Sequence, residues 1–345
     1  MNSSYNDLLS AQFHTRALYL IGTVTLPIHL FGAYCILFQT PDTMKRVKWV
    51  MLNQHFWCCL LDLWGSFLGQ PYECPPIWGG VTAGILNTLG VPSGILVYLM
   101  VTSLQFGIIA TAFLFENRFF LLFADQSWWK YGRYGYYFMN NLVAILYFLP
   151  TLLNAPEQEK ARELMFETYP HLRDYDHPAH PIYVVANDED KMDGIRYRML
   201  ASIVFYLLDI WPFFLMLHYK MKKAVKEMTM SANTIEAHKV FLRAINMQLL
   251  VFFTSCSLQI AFPLLIVVTP QILMVIAHFG VNIAYFNMNS PENSRIGYMF
   301  MSIHGASASL IMVYCHTPYR LFCRKLFFCH RVNALGVQTP STTAI

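Results

Sequence analysis

The sequence predicts an all-α membrane protein, a bundle of seven transmembrane helices with the N-terminus outside the cell and the C-terminus inside. Of its 345 residues, 56% are hydrophobic and only 13% are charged, about half the charge of an ordinary globular chain. A soluble core could not bury so much apolar surface. Several apolar runs are also long enough to span a bilayer, and the connections between them alternate in charge. The net charge of +4 is too small to indicate a nucleic-acid partner.

The predicted spans are the apolar runs that reach the length of about 20 residues needed to cross a bilayer. They lie at roughly 17–38, 49–70, 93–115, 136–153, 199–219, 244–268 and 297–316. An eighth apolar stretch, 270–287, begins at Pro270 and is shorter and more polar. Its hydropathy is compatible with a span, a re-entrant piece or the outer end of a long, kinked sixth helix.

The distribution of charge orients the bundle, because short cytoplasmic loops collect Lys and Arg. The first, third and fifth connections and the tail are basic, whereas the second contains Glu73 and no basic residue and the fourth is rich in acids. This alternation requires an odd number of spans, so 270–287 is expected outside or dipping into the outer leaflet. Residues 1–16 then form an extracellular N-terminus, 17–318 the membrane domain, and 319–345 a cytoplasmic tail.

The fourth connection, 154–197, is the longest and is broken by four prolines. We interpret it as an extracellular cap over the bundle, with a solvated mobile loop as the equal alternative. Its stretch from His171 to His180 contains metal-ligand residue types, but it lacks an HExxH helix or a Cys pair. The sequence contains no GxSxG or P-loop motif either. We therefore expect no metal site, no catalytic residue, no enzyme activity and no cofactor.

Two acids lie well inside predicted spans, Asp62 in the second and Asp209 in the fifth. An ionisable group at this depth is costly and is by default a functional candidate. Each acid is therefore interpreted either as part of a polar network that shifts on activation or as a hydrogen bond between packed helices. For Asp209 the adjacent Trp211-Pro212 favours a kink that needs polar partners.

The third span ends in Glu116-Asn117-Arg118, an acid and an arginine at the cytoplasmic mouth of a helix. Such a pair can hold together at rest and release the arginine to a cytoplasmic partner when the helix moves. The alternative is an interfacial arginine that anchors the helix to lipid headgroups.

Further candidates lie on the same predicted face of the membrane. The fifth span runs into a basic extension with Lys222, Lys223 and Lys226, and the seventh ends at Pro318-Tyr319-Arg320. The residues that follow predict a short amphipathic helix on the inner leaflet, where Cys323 and Cys329 are candidate palmitoylation sites. On the opposite side, Asn2 begins a glycosylation sequon.

Several segments in order resemble the nematode serpentine receptor class H (Srh) chemoreceptor family over nearly the whole chain. They are LPIHLFGAYCILFQTP and LNQHFWCCLLDLWGSFLGQPY in the first two spans, WGGVTAGILNTLGVP before the third and FLFENR at its end, SANT before the sixth, and HGASAS and PYR in and after the seventh. Sister chemoreceptor classes share several of these pieces, notably PYR. One departure from many seven-helix receptors is that 154–197 contains no Cys that could bridge to the third helix.

The resemblance implies a G-protein-coupled receptor in the plasma membrane of a sensory neuron, in its cilium, that detects a small environmental molecule. Glu116-Asn117-Arg118 would take the role of the acid–arginine motif, and Pro318-Tyr319 that of the proline–tyrosine motif closing the seventh helix. A heterotrimeric G protein would bind at this face. Depth and polarity select five candidate ligand contacts, each of which could instead serve interhelical packing: Tyr98, Gln105, Tyr206, Gln259 and His304. The rival classes are a membrane transporter and a seven-span accessory or scaffold protein.

Overall fold

The computed structural model describes residues 11–74, 77–227 and 291–334. Asn2, Gln259, the predicted sixth span and the stretch 270–287 lie outside these ranges. The α-helices and β-strands of the described residues are as follows: α1 Ala11–Phe38, α2 Lys45–Leu63, β1 Pro71–Glu73, β2 Trp78–Thr82, α3 Ile85–Thr88, α4 Ser93–Phe119, α5 Trp129–Leu153, α6 Gln158–Thr168, β3 Tyr183–Ala186, α7 Glu189–Glu227, α8 Pro291–Cys315 and α9 Thr317–Ala334.

The long helices extend beyond the apolar runs that predict them. α7 is the clearest case, since 39 residues are helical around a predicted span of 199–219. π-helical turns at Trp64–Leu68 and Phe120–Ala124 also prolong α2 and α4. Hydropathy detects only the part of a helix that suits lipid, whereas the backbone hydrogen bonds that define a helix continue past the bilayer surface.

Four of these helices are long and apolar enough to cross a membrane: Gln12–Phe38, Ser93–Ala124, Trp129–Leu153 and Glu189–Leu217. α2 and α8 fall short of that composition because each contains several polar residues. Each buries one face against other helices, since α8 packs against α1 and α2, and α2 packs against α4. A polar side chain on a face that meets other helices can be satisfied in a way that lipid does not allow.

The connections 71–92 and 154–188 fold together into a unit that we call the cap. Its sheet is antiparallel, in the order β1-β2-β3, with Tyr72 opposite Val81 and Gly80 opposite Tyr183. α6 packs over this sheet, and the buried thiol of Cys74 lies in the apolar core between them. Much of 154–197 is therefore folded, while its position outside the cell stays a prediction.

Candidate functional site

The cap is attached to the N-terminal end of α8 by polar contacts. The Arg295 guanidinium lies 4.4 Å from the ring centre of Tyr72 and 5.4 Å from that of Tyr175. One helical turn on, the Tyr298 hydroxyl donates a hydrogen bond to Glu73 Oε1 at 3.3 Å. Burial raises the pKa of Glu73 above its ordinary value. The hydrogen bond from Tyr298 lowers the pKa but only partly offsets the effect of burial. Tyr298 also lies in the apolar core of the cap, so α8 is part of both units.

Asp62 is the polar centre of the helix bundle and is 1% exposed. His29 Nε2 of α1 lies 3.0 Å from Asp62 Oδ2. From α8, the backbone N–H of Gly305 donates to Oδ1 at 2.9 Å and that of Ala306 to Oδ2 at 2.8 Å. One carboxylate thus joins three helices, and each of its oxygens has a donor.

A second layer of contacts supports this carboxylate. Ser309 Oγ lies 3.3 Å from His55 Nδ1 and 3.4 Å from His29 Nδ1, and His55 Nε2 lies 2.9 Å from the His29 carbonyl oxygen. The approach of α8 is possible because residue 305 is glycine. A Cβ there would lie 2.5 Å from the Cys58 carbonyl oxygen and 2.9 Å from Asp62 Oδ1.

Asp209 lies half-buried on α7 and faces α5. Asn140 Nδ2 lies 3.5 Å from Asp209 Oδ1, the outer limit of a hydrogen bond. The other oxygen of each side chain, Asp209 Oδ2 and Asn140 Oδ1, is buried without a hydrogen-bond partner in the described structure. One turn away on α7, the Tyr206 hydroxyl is in the same situation.

The middle of α4 carries two further polar groups of this kind. Gln105 and Thr102 are buried, and neither Gln105 Oε1 nor the Thr102 hydroxyl has a hydrogen-bond partner among the residues described. A buried polar atom that lacks a partner costs about 1–3 kcal/mol. The interior of the bundle therefore contains unsatisfied capacity for polar contacts.

Glu116, at the end of α4, is completely buried and is surrounded by donors from α5. Trp129 Nε1 donates to Oε1 at 2.7 Å, while Arg133 Nη2 at 2.9 Å and the Tyr137 hydroxyl at 2.5 Å donate to Oε2. We call these four residues, with Asn117, the Glu116 cage, because Asn117 Oδ1 also accepts from Arg133 at 3.0 Å. The Arg133 guanidinium stacks on Phe120, 3.9 Å from the ring centre.

The Glu116 cage corrects one sequence-based expectation, since Glu116 pairs with Arg133 of α5 and not with Arg118. On an α-helix, residues two apart point to different sides. Arg118 instead lies within electrostatic range of His316, at the end of α8. The following Tyr319 is fully buried, with its hydroxyl 2.7 Å from Thr40 Oγ1 of the segment after α1.

The other predicted site residues are dispersed. The Tyr98 hydroxyl donates to the Ile145 carbonyl of α5 at 3.1 Å, a contact between helices. His304 lies on α8 near His29. Lys222, Lys223 and Lys226 lie on the last turns of α7, and Pro318 and Arg320 lie on the first turn of α9. Cys323 and Cys329 also lie on α9, where Cys323 packs against the core formed with Cys35 and Tyr319.

The family model described as "Serpentine type 7TM GPCR chemoreceptor Srh" matches residues 9–329. The chain belongs to this family. The Srh chain is also 23% identical, over 333 residues, to serpentine receptor class H-72 of Caenorhabditis elegans, covering 89% of this chain and 83% of that protein. Srh proteins are receptors of the G-protein-coupled class, so membership places this chain among receptors rather than enzymes.

Sequence reasoning missed several functional candidates of the Srh chain. Arg133 precedes the predicted fourth span, 136–153, although it lies inside α5 and pairs with Glu116. His29 lies singly in the first apolar run, where nothing in the sequence marks it, although it contacts Asp62. The available signal was the spacing of Trp129, Arg133 and Tyr137, which recur every fourth residue and so share one face of a helix.

Proposed function

We propose that this Srh chain is a chemosensory receptor with seven spans, its N-terminus and cap outside and its C-terminus inside. It binds a small environmental molecule in the bundle and activates a heterotrimeric G protein. It works in the plasma membrane, in the cilium of a sensory neuron. Family membership supports the receptor class, and one observation carries the proposal of a ligand site: polar atoms of Gln105 and Tyr206 are buried without partners in the described bundle.

These atoms define the chemistry of the proposed ligand. Gln105 Oε1 is an acceptor, and the hydroxyls of Thr102 and Tyr206 can donate or accept. None of the three side chains is ionised, so they suit an uncharged molecule with one or two polar groups and an apolar body. Gln259, His304 and Tyr98 are proposed as further contacts.

The proposed coupling face lies at the opposite end of the same helices. The Glu116 cage fixes α4 to α5, and Arg118 lies within electrostatic range of His316 at the junction of α8 and α9. A ligand that favours a second packing of these helices would change both contacts. The basic end of α7, with Lys222, Lys223 and Lys226, and the Pro318-Tyr319-Arg320 turn complete the face offered to a G protein.

The ligand site can be tested with the full chain expressed in cells that report G-protein signalling. A panel of small alcohols, aldehydes, ketones and organic acids is applied, and the most active compound is titrated against Gln105→Ala and Tyr206→Phe. We expect each change to raise the half-maximal concentration about tenfold, because a buried hydrogen bond to the ligand is lost. Tyr219→Phe, on an exposed position of α7, is the matched control and should respond as the wild type.

The same cells distinguish the rival classes. A transporter would accumulate the labelled compound without a G-protein response, and that result would overturn the proposal. A scaffold would give a response that survives Arg118→Ala, whereas the receptor should lose it. Protease added outside intact cells should cleave only the N-terminus, the cap and the connection between the sixth and seventh spans, which tests the orientation. A C-terminal fluorescent tag in the sensory neurons tests the ciliary location.

A further inference from the structure

Tyr136 lies on α5 near two carboxylates, the fully buried Glu116 of α4 and the half-buried Asp209 of α7. Of the two, Asp209 interacts more strongly with the Tyr136 hydroxyl. The hydroxyl is buried and has no close hydrogen-bond partner among the described residues, so its contact with Asp209 is a long one. Rings hold it in place, with that of Phe213 at 5.4 Å and that of Trp129 at 5.8 Å between centres.

The two carboxylates differ in how well they are satisfied. Glu116 accepts hydrogen bonds from Trp129, Arg133 and Tyr137. Asp209 has only long contacts, to Asn140 and to the Tyr136 hydroxyl, and its Oδ2 has no close hydrogen-bond partner among the described residues. A hydroxyl has a single proton to donate, so Tyr136 cannot serve both acids at once.

The Tyr136 hydroxyl has two alternative acceptors, Asp209 and Glu116. If the Tyr136 hydroxyl donates to Asp209, it satisfies Asp209 Oδ2 and leaves the Glu116 cage intact. If it donates to Glu116, it competes with the Tyr137 hydroxyl and loosens the cage. Partly satisfied buried networks respond strongly to such exchanges because each bond made or lost in a low-dielectric interior counts heavily.

We propose that Tyr136 is a positioning residue that couples the Asn140–Asp209 pair to the Glu116 cage, its hydroxyl donating to Asp209 in one state of the receptor and to Glu116 in the other. The inference rests on the proposed function for its signalling consequence. Tyr206, a proposed ligand contact, lies one turn from Asp209 on α7, so a ligand that moves Tyr206 changes the acceptor offered to Tyr136. The path runs along α5 from the middle of the bundle to its cytoplasmic end.

The first test needs no ligand and no G protein. Thermal midpoints of the purified full chain are measured for Tyr136→Phe, Asp209→Asn, Glu116→Gln and the double variants. We expect the shifts of Tyr136→Phe to be non-additive with those of both acid variants, since the hydroxyl interacts with both. Additive shifts with both acids would overturn the proposal. Tyr134→Phe, an exposed position two residues away, should be additive with each.

If Glu116→Gln does not fold, Tyr137→Phe replaces it in the cycle. It should also be non-additive with Tyr136→Phe, because the two hydroxyls compete for Glu116 Oε2. Independent effects would then count against the proposal.

The second test separates coupling from packing, using the most active compound of the panel described above. For Tyr136→Phe we expect the maximal response to fall at least about threefold, while the thermal stabilisation of the purified chain by the same compound is retained. A wild-type response, or loss of stabilisation and response together, would overturn the proposal. If the wild-type chain responded to no compound, the proposed function would be overturned. The thermal midpoints of the single and double variants would then test the role of Tyr136 by themselves.

Discussion

The hydroxyl of Tyr319 lies 2.7 Å from Thr40 Oγ1, joining the first turn of α9 to the segment after α1. Tyr319 is fully buried among Cys35, Ile36 and Met51. The tyrosine of the PYR sequence therefore holds two helix ends together in this structure. A partner that binds at this end of the bundle would contact Arg320 more readily than Tyr319.

The two sides of this contact should differ in their response to mutation. Thr40 Oγ1 also donates to the Ile36 carbonyl, so Tyr319→Phe leaves Thr40 satisfied and should cost about 1 kcal/mol. Thr40→Val leaves the buried Tyr319 hydroxyl without its partner and should cost about 2 kcal/mol. Thermal midpoints of the purified chain measure the difference, with the exposed Tyr314→Phe as control. Equal shifts for the two variants would contradict the assignment of Tyr319 as the side of this contact that depends on its partner.

Replacement of Gly305 should separate α2 from α8. The added Cβ of Gly305→Ala would lie 2.5 Å from the Cys58 carbonyl oxygen, and backbone cannot yield as a flexible side chain can. We expect a loss of 2 to 3 kcal/mol, roughly the cost of overpacking, and a lower surface level by antibody labelling. The control is Gly135→Ala on α5, where an added Cβ meets nothing within 4 Å. There the better helix propensity of alanine should stabilise slightly.

Asp62→Asn should weaken the centre of the bundle. Asp62 Oδ2 lies 3.0 Å from His29 Nε2 and accepts from the Ala306 N–H, and an amide cannot accept at both of its positions. We predict a loss of about 2 to 4 kcal/mol, seen as a reduced thermal midpoint. Asp125→Asn removes an acid from an exposed ion pair with Arg46 and should change the midpoint little. Equal midpoints for Asp62→Asn and the wild type would show that the three-helix contact contributes no stability.

Arg133→Met should leave Glu116 buried without its cation, a change that typically costs about 3 to 5 kcal/mol. Arg133→Lys keeps the charge but cannot reproduce both the stacking on Phe120 and the contacts to Glu116 and Asn117, so an intermediate loss is expected. In cells, both variants should raise signalling in the absence of added compound. Arg46→Met, at an exposed ion pair, should match the wild type. If Arg118→Met destabilised the chain and Arg133→Met did not, the assignment of Arg133 as the partner of Glu116 would be wrong.

The cap should hold more firmly at mildly acidic pH. Burial raises the pKa of Glu73 above its ordinary value of 4.5, so the folded cap binds a proton more tightly than the opened cap does. Stability from this group is then lost as the pH rises from the ordinary value through the raised one. Labelling of the buried Cys74 thiol by a disulfide reagent, followed by mass spectrometry, reports opening of the cap.

The wild type and Glu73→Gln are compared at each pH so that the chemistry of the reagent cancels. We expect the ratio of wild-type to variant labelling to rise as the pH increases above the ordinary Glu73 pKa of 4.5. A ratio that stays constant would mean that Glu73 does not ionise across the docking of the cap.

Hydropathy and charge located most of the helices but could not predict how their faces meet. α1, α4, α5 and α7 were found because apolar runs are a local property of the chain. The partner of Glu116 could not be predicted, because Arg133 falls in a predicted connection unless the start of α5 at Trp129 is known. The three-residue strand β1 is too short to show a periodicity, and its pairing with β2 depends on backbone hydrogen bonds rather than on side-chain pattern. Asp62 was identified as a candidate by its depth, while its donors lie on two helices far away in sequence.

The sheet of the cap also constrains the order in which the chain can be built. β1 and β2 are synthesised before α4, but β3 is synthesised only after α5. The contact between Tyr72 of the cap and Arg295 also requires α8. During insertion into the membrane, the edge of β2 that later pairs with β3 therefore stays unpaired while α4 and α5 enter the bilayer. A nascent chain stopped before Tyr183 would expose that edge to other chains, which makes the interval between α4 and β3 the vulnerable stage of biogenesis.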